Sequence, residues 1–192
     1  MQKFKKHFKK IYRKHASKLK NLNKVNKKLL ICFLGIPCSG KTALAKKIER
    51  KYKAVRISND DLRKIINQYI TKKEAKREAI LKEYVLDLLK NPPFTNKLVI
   101  LDSGIERKYK DILKISKSKK WKMFIIRMLI PKSSIIKRIK IKDRKRFENH
   151  PEDIKRWFKE YKEFNRKYKS DFIFKDDSNL KKLFIELNRI VQ

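Results

Sequence analysis

The sequence predicts an α/β fold in which a parallel sheet is covered by helices on both faces. Apolar runs of strand length alternate along the chain with segments of helical length. The first apolar run, residues 29–34, also leads directly into a glycine-containing loop, and a helical segment opens at Ala43. Because strands that are joined through helices run parallel, we expect the sheet to be buried on both faces.

The loop after the first strand carries the pattern G-x-x-x-x-G-K-[ST]. Gly35 and Gly40 permit backbone angles and close approaches that a Cβ would hinder, so successive N–H groups can surround phosphate oxygens. The following helix N-terminus adds partial positive charge. The pattern therefore predicts a P-loop that binds ATP, with Lys41 on the β- and γ-phosphates and Thr42 on Mg²⁺. The expected nucleotide contacts are Gly35, Pro37, Cys38, Ser39, Gly40, Lys41, Thr42 and Ala43.

Charge is the unusual feature of the composition. The 192 residues include 56 Lys and Arg against 20 Asp and Glu, which gives a net charge of +36. This balance favours polyanionic partners such as nucleic acid, nucleotides or an anionic membrane. A Lys-rich solvated surface without a specific partner explains the same composition, because Lys rather than Arg is enriched.

Cysteine usage and hydropathy bear on the compartment. The two cysteines, Cys32 and Cys38, have no metal-type spacing, and the sequence shows no secretory signal. It also lacks an apolar run of about 18 residues, which a spanning helix needs. We therefore expect a cytoplasmic protein without a spanning membrane segment.

Residues 1–28 are predicted to form a basic arm in front of a P-loop domain at residues 29–192. The arm contains 12 Lys and Arg and no acid, and its apolar residues recur at helical spacing. Such a basic amphipathic helix packs on the domain, binds nucleic acid, or contacts an anionic membrane or acts as a targeting segment, and the sequence leaves these uses open.

The remaining segments continue the alternation of strands and helices. The predicted strands lie at 54–57, 98–102, 121–130 and 172–174, and the predicted helices lie at 60–69, 72–90, 106–117, 132–141, from 151 onward and at 178–191. Ser58, three residues before Asp61, predicts a capping-box-like start for the helix at 60–69.

Two carboxylates outside the P-loop are candidates for phosphoryl transfer. Asp60 follows the second strand, where its carboxylate would accept the proton of an acceptor hydroxyl. Its neighbour Asp61 has the simpler explanation of a capping residue. Asp102 ends a buried strand, at the edge where open α/β sheets bind ligands. It would contact Mg²⁺ through water, or contact the acceptor.

A basic run from Arg138 to Arg146 lies between a predicted helix and Pro151. The run predicts a mobile lid, at about residues 138–150, that closes over the phosphates. A solvated surface loop is the alternative, since most charge runs are exposed.

The ordered set of motifs resembles the kinase domain of phage-type 5′-polynucleotide kinases, and seryl-tRNA kinases and zeta-toxin-like kinases share much of it. The set comprises the P-loop, Asn59-Asp60-Asp61-Leu62-Arg63, Leu98-Val99-Ile100-Leu101-Asp102-Ser103, Lys137-Arg138 and Pro151-Glu152-Asp153-Ile154. Order and approximate spacing match over residues 29–165. The resemblance implies an adenylate-kinase-like fold and an ATP- and Mg²⁺-dependent kinase.

The same resemblance implies a role for each candidate residue. Asp60 would activate the acceptor, Arg63 would contact an acceptor phosphate, and Asp102 corresponds to an acceptor-site position. The lid arginines, represented by Arg138 and Arg144, would stabilise the transition state. The leading acceptor is the 5′-hydroxyl of a polynucleotide or nucleoside. A small-molecule or seryl-tRNA kinase, and a non-catalytic nucleotide- and nucleic-acid-binding module, remain alternatives.

Overall fold

Strands and helices alternate through most of the described chain. The structure, a computed structural model, describes residues 28–69, 74–92, 98–142 and 151–191. The strands are β1 (Leu29–Leu34), β2 (Val55–Ser58), β3 (Leu98–Gly104), β4 (Lys122–Met128) and β5 (Phe172–Phe174). The helices are α1 (Lys41–Tyr52), α2 (Asn59–Tyr69), α3 (Glu74–Lys90), α4 (Tyr109–Ser118), α5 (Lys132–Lys142), α6 (Pro151–Lys167) and α7 (Leu180–Val191), and a 3₁₀ turn at Asp177–Asn179 precedes α7.

The predicted order and type of these elements are confirmed, with small differences at their ends. The helix expected from residue 106 begins at Tyr109, because residues 105–108 form a turn in which the Lys108 N–H donates to the Ile105 carbonyl at 2.9 Å. Residues 1–27 of the predicted arm and residues 143–150 of the predicted lid lie outside the described residues.

The strands form a parallel sheet in the order β2-β3-β1-β4-β5. The first strand is therefore central, and the carboxyl ends of β1, β2 and β3 meet at one edge. This arrangement is the predicted α/β fold, and it places the P-loop at the middle of the edge where open α/β sheets bind ligands.

Alternate residues of each strand enter two separate cores, as expected for a sheet that is buried on both faces. On one face, Leu30, Cys32 and Leu34 of β1 pack in the core that includes residues of α2, α3 and α4. On the other face, Leu29, Ile31 and Phe33 pack in a core with residues of α1 and α7. Helices therefore cover both faces of the sheet.

A bulge interrupts the pairing of β3 with β1. Cys32 pairs with Leu101, but the next residue, Phe33, pairs with Gly104, so Asp102 and Ser103 have no register partner on β1. Asp102 instead pairs with Ser58 of β2. Bulges re-aim side chains beside functional sites, and this one lies directly beside the P-loop.

A third, smaller apolar cluster connects α5 and α6 to the P-loop. Ile36 of the loop packs with Ile135 and Ile139 of α5 and with Ile154 of α6. The contact fixes α5 against the phosphate-binding loop. Among the described helices, none combines the length and the apolar character that crossing a membrane requires.

Candidate active site at the P-loop

The backbone of the P-loop adopts conformations that only a few residue types tolerate. Gly40 has a φ of 94° and Cys38 a φ of 64°, and both values lie in the left-handed region. Gly35 is required for space instead: a Cβ there would lie 2.8 Å from the Ser39 hydroxyl oxygen and 2.9 Å from the Met128 Cβ. Strain of this kind is typical of a ligand-binding loop.

Lys41, at the start of α1, folds its side chain back onto the loop. Its Nζ donates to the carbonyl oxygens of Gly35 at 2.5 Å and of Ile36 at 2.7 Å. Burial lowers the pKa of Lys41, and the charges of nearby carboxylates, first Glu106 and then Asp102, oppose that shift. The ammonium group is thus desolvated and surrounded by acceptors, in the loop where the sequence predicts that it binds phosphate oxygens.

Thr42 and Asp102 meet across the gap between α1 and β3. The Thr42 hydroxyl donates to Asp102 Oδ1 at 3.0 Å, and Arg56 donates from Nη1 to Asp102 Oδ2 at 2.8 Å. Burial raises the pKa of Asp102, while the hydrogen bonds from Arg56 and Thr42 act in the opposite direction. The structure therefore brings together the two residues that the sequence proposed as Mg²⁺ contacts.

Asp60 lies at the same edge of the sheet, in the first turn of α2. Its charge contributes to the electrostatic surroundings of both Lys41 and Asp102. Its carboxylate is largely exposed and accepts a hydrogen bond from Arg63 Nη1 at 2.7 Å. Asp60 is thus accessible to an acceptor, and its present partner is the residue that was predicted to hold the acceptor phosphate.

Besides Asp60, Arg63 forms an ion pair with a second carboxylate, that of Glu78 on α3. Arg63 donates from Nε and Nη2 to the two oxygens of Glu78, at 2.6 and 3.3 Å. Lys108 lies close enough for its charge to interact with both residues, and burial lowers its pKa to about 8. Arg63 and Lys108 form a cationic cluster beside Asp60, and an internal carboxylate now neutralises part of it.

The start of α2 shows half of the predicted capping box. The Asp61 N–H donates to the Ser58 hydroxyl oxygen at 3.3 Å, as expected. The Asp61 carboxylate accepts instead from Arg56 Nη2 at 2.9 Å. A guanidinium that the sequence did not single out therefore binds this carboxylate, because β2 brings Arg56 beside the first turn of α2.

The predicted lid is represented by its first residues. Arg138 of α5 points its Nη1 to the Cys38 carbonyl of the P-loop at 3.4 Å. The packing of α5 on Ile36 carries Arg138 to this position. Arg144, the other proposed lid arginine, lies outside the described residues.

Glu106 is a site residue that the sequence did not reveal. Its carboxylate oxygen Oε1 accepts the N–H of Gly35 at 2.9 Å, and burial raises its pKa while the charge of Lys41 opposes the rise. A Cβ on Gly104 would collide with this carboxylate. The only signal in the sequence was an acid shortly after Asp102 in a chain with few acids.

Several buried polar atoms at this edge lack a hydrogen-bond partner within the described parts of the chain. They are the Ser39 hydroxyl in the P-loop, the Ser103 hydroxyl near the end of β3 and the Asn59 amide oxygen at the first residue of α2. Buried polar groups are normally satisfied, so these atoms fit a site that is completed by a polar ligand or water. Together with Lys41, Thr42 and Asp102, they provide donors for phosphate and oxygen ligands suited to Mg²⁺.

Comparison with solved structures supports the fold. The shikimate kinase of Aquifex aeolicus is 20% identical, with a TM-score of 0.55 over 83% of this chain and 96% of that one. Deoxyadenosine kinase from M. mycoides, solved with bound dCTP, is 17% identical, with a TM-score of 0.55 over 84% of this chain and 100% of that one. A structure from the PezAT toxin-antitoxin system of Streptococcus pneumoniae is 14% identical, with a TM-score of 0.64 over 88% and 76%.

These likenesses show that the chain has the fold of P-loop kinases. They do not single out the phage-type polynucleotide kinases that the motifs resemble. No curated protein matches the sequence. One family model does match, that of the chromatin associated protein KTI12, over residues 29–183.

Proposed function

Since the chain belongs to the KTI12 family of chromatin associated proteins, we propose that it binds ATP with Mg²⁺ and transfers the γ-phosphate to a hydroxyl of a nucleic acid. The leading acceptor is the 5′-hydroxyl end of a polynucleotide. The observation that carries the proposal is the hydrogen bond from Thr42 to Asp102, at a complete P-loop and beside Asp60. Phosphoryl transfer requires residues that hold a metal ion, a loop that binds phosphates and a carboxylate that the acceptor can reach.

The P-loop end of the site accounts for nucleotide binding. Loop N–H groups and Lys41 would hold the phosphates, and Thr42 and Asp102 would hold Mg²⁺ directly or through water. Held by these residues, Mg²⁺ would supply positive charge that offsets the negative charge of the phosphates. Arg138 already contacts the loop through the Cys38 carbonyl, so its guanidinium would supply positive charge close to the bound phosphates.

The acceptor end of the site lies around α2. Asp60 would accept a hydrogen bond from the attacking hydroxyl and orient it, as the resemblance implies. Arg63 and Lys108 would hold a phosphate of the acceptor, and that phosphate would replace the Glu78 carboxylate on Arg63. An acceptor without a phosphate has no group to make this exchange.

Two independent features support nucleic acid as the partner. The chain has a net charge of +36, and proteins that neutralise phosphates with Lys and Arg bind nucleic acid strongly. The family description also names chromatin, which favours a nuclear rather than a cytoplasmic location. The division into a basic arm at residues 1–28 and a P-loop domain remains a prediction.

A screen with γ-labelled ATP tests this proposal. Oligonucleotides with a 5′-hydroxyl should become labelled with a higher kcat/KM than nucleosides, serine or amino sugars, and Arg63→Ala should remove most of the advantage. Asp60→Asn should slow transfer by about 10²- to 10⁴-fold, the usual contribution of an acid–base group, with ATP binding retained. Efficient labelling of a small alcohol or seryl-tRNA, with 5′-ends untouched, would reject the proposed acceptor.

A nucleotide- and nucleic-acid-binding module without phosphoryl transfer is the second candidate. The pairing of Arg63 with Glu78 favours it, because the predicted acceptor contact is already satisfied within the protein. In that case ATP and nucleic acid would bind, each changing the affinity of the other, but no acceptor would be labelled. Asp60→Asn would then leave both affinities unchanged.

A further inference from the structure

Arg56 of β2 joins three structural elements through one guanidinium group. Its Nη1 donates to Asp102 Oδ2 at 2.8 Å, its Nε to Glu49 Oε2 at 2.8 Å, and its Nη2 to Asp61 Oδ2 at 2.9 Å. The three carboxylates belong to β3, α1 and α2. The Arg56 side chain is only 12% exposed, and its charge-assisted bond to the buried Asp102 is shielded from water, whereas Glu49 and Asp61 are partly exposed.

The contact with Asp102 restricts how that carboxylate can turn. Arg56 binds Oδ2, and Thr42 binds Oδ1, so each oxygen has its own partner. The Asp102 side chain is almost fully buried and cannot reorient into solvent. Arg56 therefore directs Oδ1 toward Thr42, where the proposed metal would lie.

The contact with Asp61 restricts the first turn of α2. The Asp61 N–H is held by Ser58, and its carboxylate is held by Arg56. Asp60 is the adjacent residue, and Arg63 lies on the next turn. The same guanidinium thus fixes the segment that carries both proposed acceptor contacts.

We infer that Arg56 is a positioning residue that couples the metal-binding end of the site to the acceptor-binding end. The inference rests on the proposed function for its acceptor half, while its metal half concerns ATP binding alone. A planar guanidinium with separate donors can hold three carboxylates at fixed angles, whereas a lysine ammonium cannot impose that geometry. The position therefore requires arginine for its shape as well as its charge.

Three substitutions separate the contacts of Arg56. Arg56→Gln removes all of them, and Asp61→Asn weakens the contact with α2. Glu49→Gln weakens the contact with α1 at a point seven residues beyond Thr42, and Glu49 itself contacts neither Asp102 nor Asp60. The first readout is binding of a fluorescent ATP analogue titrated with Mg²⁺, which needs no turnover. The second is the KM for a 5′-hydroxyl oligonucleotide.

We expect Arg56→Gln to weaken the apparent affinity for Mg²⁺ in this nucleotide-binding titration by about 10- to 100-fold, as is typical when the partner of a metal ligand is lost. It should also raise the oligonucleotide KM. Asp61→Asn should raise the KM and leave the Mg²⁺ titration as in the wild type. Glu49→Gln should change neither, and metal-free nucleotide binding should be the same in all variants.

Arg56→Lys gives a second measurement that does not depend on the folding of Arg56→Gln. It retains the charge, and we expect it to weaken the Mg²⁺ dependence because the planar geometry is lost. If both Arg56 variants give the wild-type Mg²⁺ titration, as Glu49→Gln should, the inference is wrong. An effect of Asp61→Asn on Mg²⁺ equal to that of Arg56→Gln would also overturn it.

The two proposals can fail separately. If the wild-type protein labels no acceptor but the Arg56 variants weaken the Mg²⁺ dependence and Asp61→Asn and Glu49→Gln do not, the proposed transfer is rejected and the metal half of the inference stands. If transfer occurs and the Arg56 variants behave as Glu49→Gln does, the inference is rejected and the proposed function stands.

Discussion

Gly35→Ala should destabilise the protein, because the P-loop and β4 leave no space for a Cβ at this residue. The new Cβ would lie 2.8 Å from the Ser39 hydroxyl oxygen, and 2.9 and 3.1 Å from Cβ and Cγ of Met128. Ordinary contacts between carbon atoms lie at about 3.5–4.0 Å, so the neighbours would have to move by about 0.5–1 Å. Ser39 is buried, so its hydroxyl cannot turn into solvent, and the Met128 Cβ is attached to the backbone of β4.

The expected cost is that of overpacking, about 1–3 kcal/mol. For a chain of this length, each 1 kcal/mol lowers Tm by roughly 2–4 °C, so the variant should melt roughly 2–12 °C below the wild type. Thermal unfolding without nucleotide measures this difference. A second scan with ATP and Mg²⁺ should show that the variant gains less stability from the ligand than the wild type does.

Gly40→Ala is the matched control because its cost has another origin. A Cβ there would meet nothing closer than 3.8 Å, but the residue has a φ of 94°, and left-handed backbone costs about 1–2 kcal/mol for a residue with a Cβ. Adding Ser39→Ala should therefore restore more of the lost Tm to Gly35→Ala than to Gly40→Ala, because only a Cβ at residue 35 meets the Ser39 hydroxyl. A wild-type Tm for Gly35→Ala, or equal recovery in both backgrounds, would refute the reasoning.

The remaining predictions concern single charged groups and the basic arm. Lys41→Ala should abolish phosphoryl transfer with the far-UV CD spectrum unchanged, because we propose that its charge neutralises the phosphates of ATP. Wild-type turnover would contradict this. Glu106→Gln should raise Tm at neutral pH. Burial raises the pKa of Glu106, so the ionised carboxylate destabilises the folded state. The gain in Tm should disappear below pH about 4.3, because Glu106 is then protonated in the unfolded chain as well. The KM for oligonucleotides should rise as the pH passes about 8, the pKa to which burial lowers Lys108, and Lys108→Met should remove that dependence. If the arm binds phosphates, deletion of residues 1–25 should weaken nucleic-acid binding and flatten its salt dependence. The phosphorylation of small acceptors should not change. An unchanged salt slope would exclude that role of the arm.

Local patterns were sufficient to predict the order of the elements and the P-loop. The alternation of buried strands with helices depends on residue types within short windows, and the loop motif depends on a few neighbouring residues. The location of Asp102 was also predictable, because it lies near the carboxyl end of an apolar strand, at the edge where open α/β sheets bind ligands, while its role stays a prediction. The outcome agrees at each of these levels, including the packing of helices on both faces.

The partners of the charged residues were decided by the tertiary structure. Arg56 and Asp102 are 46 residues apart, and Gly35 and Glu106 are 71 apart, so no local window contains either pair. A bulge between β1 and β3 directs Asp102 toward Thr42, and strand order brings Arg56 beside it. In a chain with 76 charged residues, composition allows many pairings. Only the folded sheet selects among them, because it fixes which side chains are buried together and must neutralise one another.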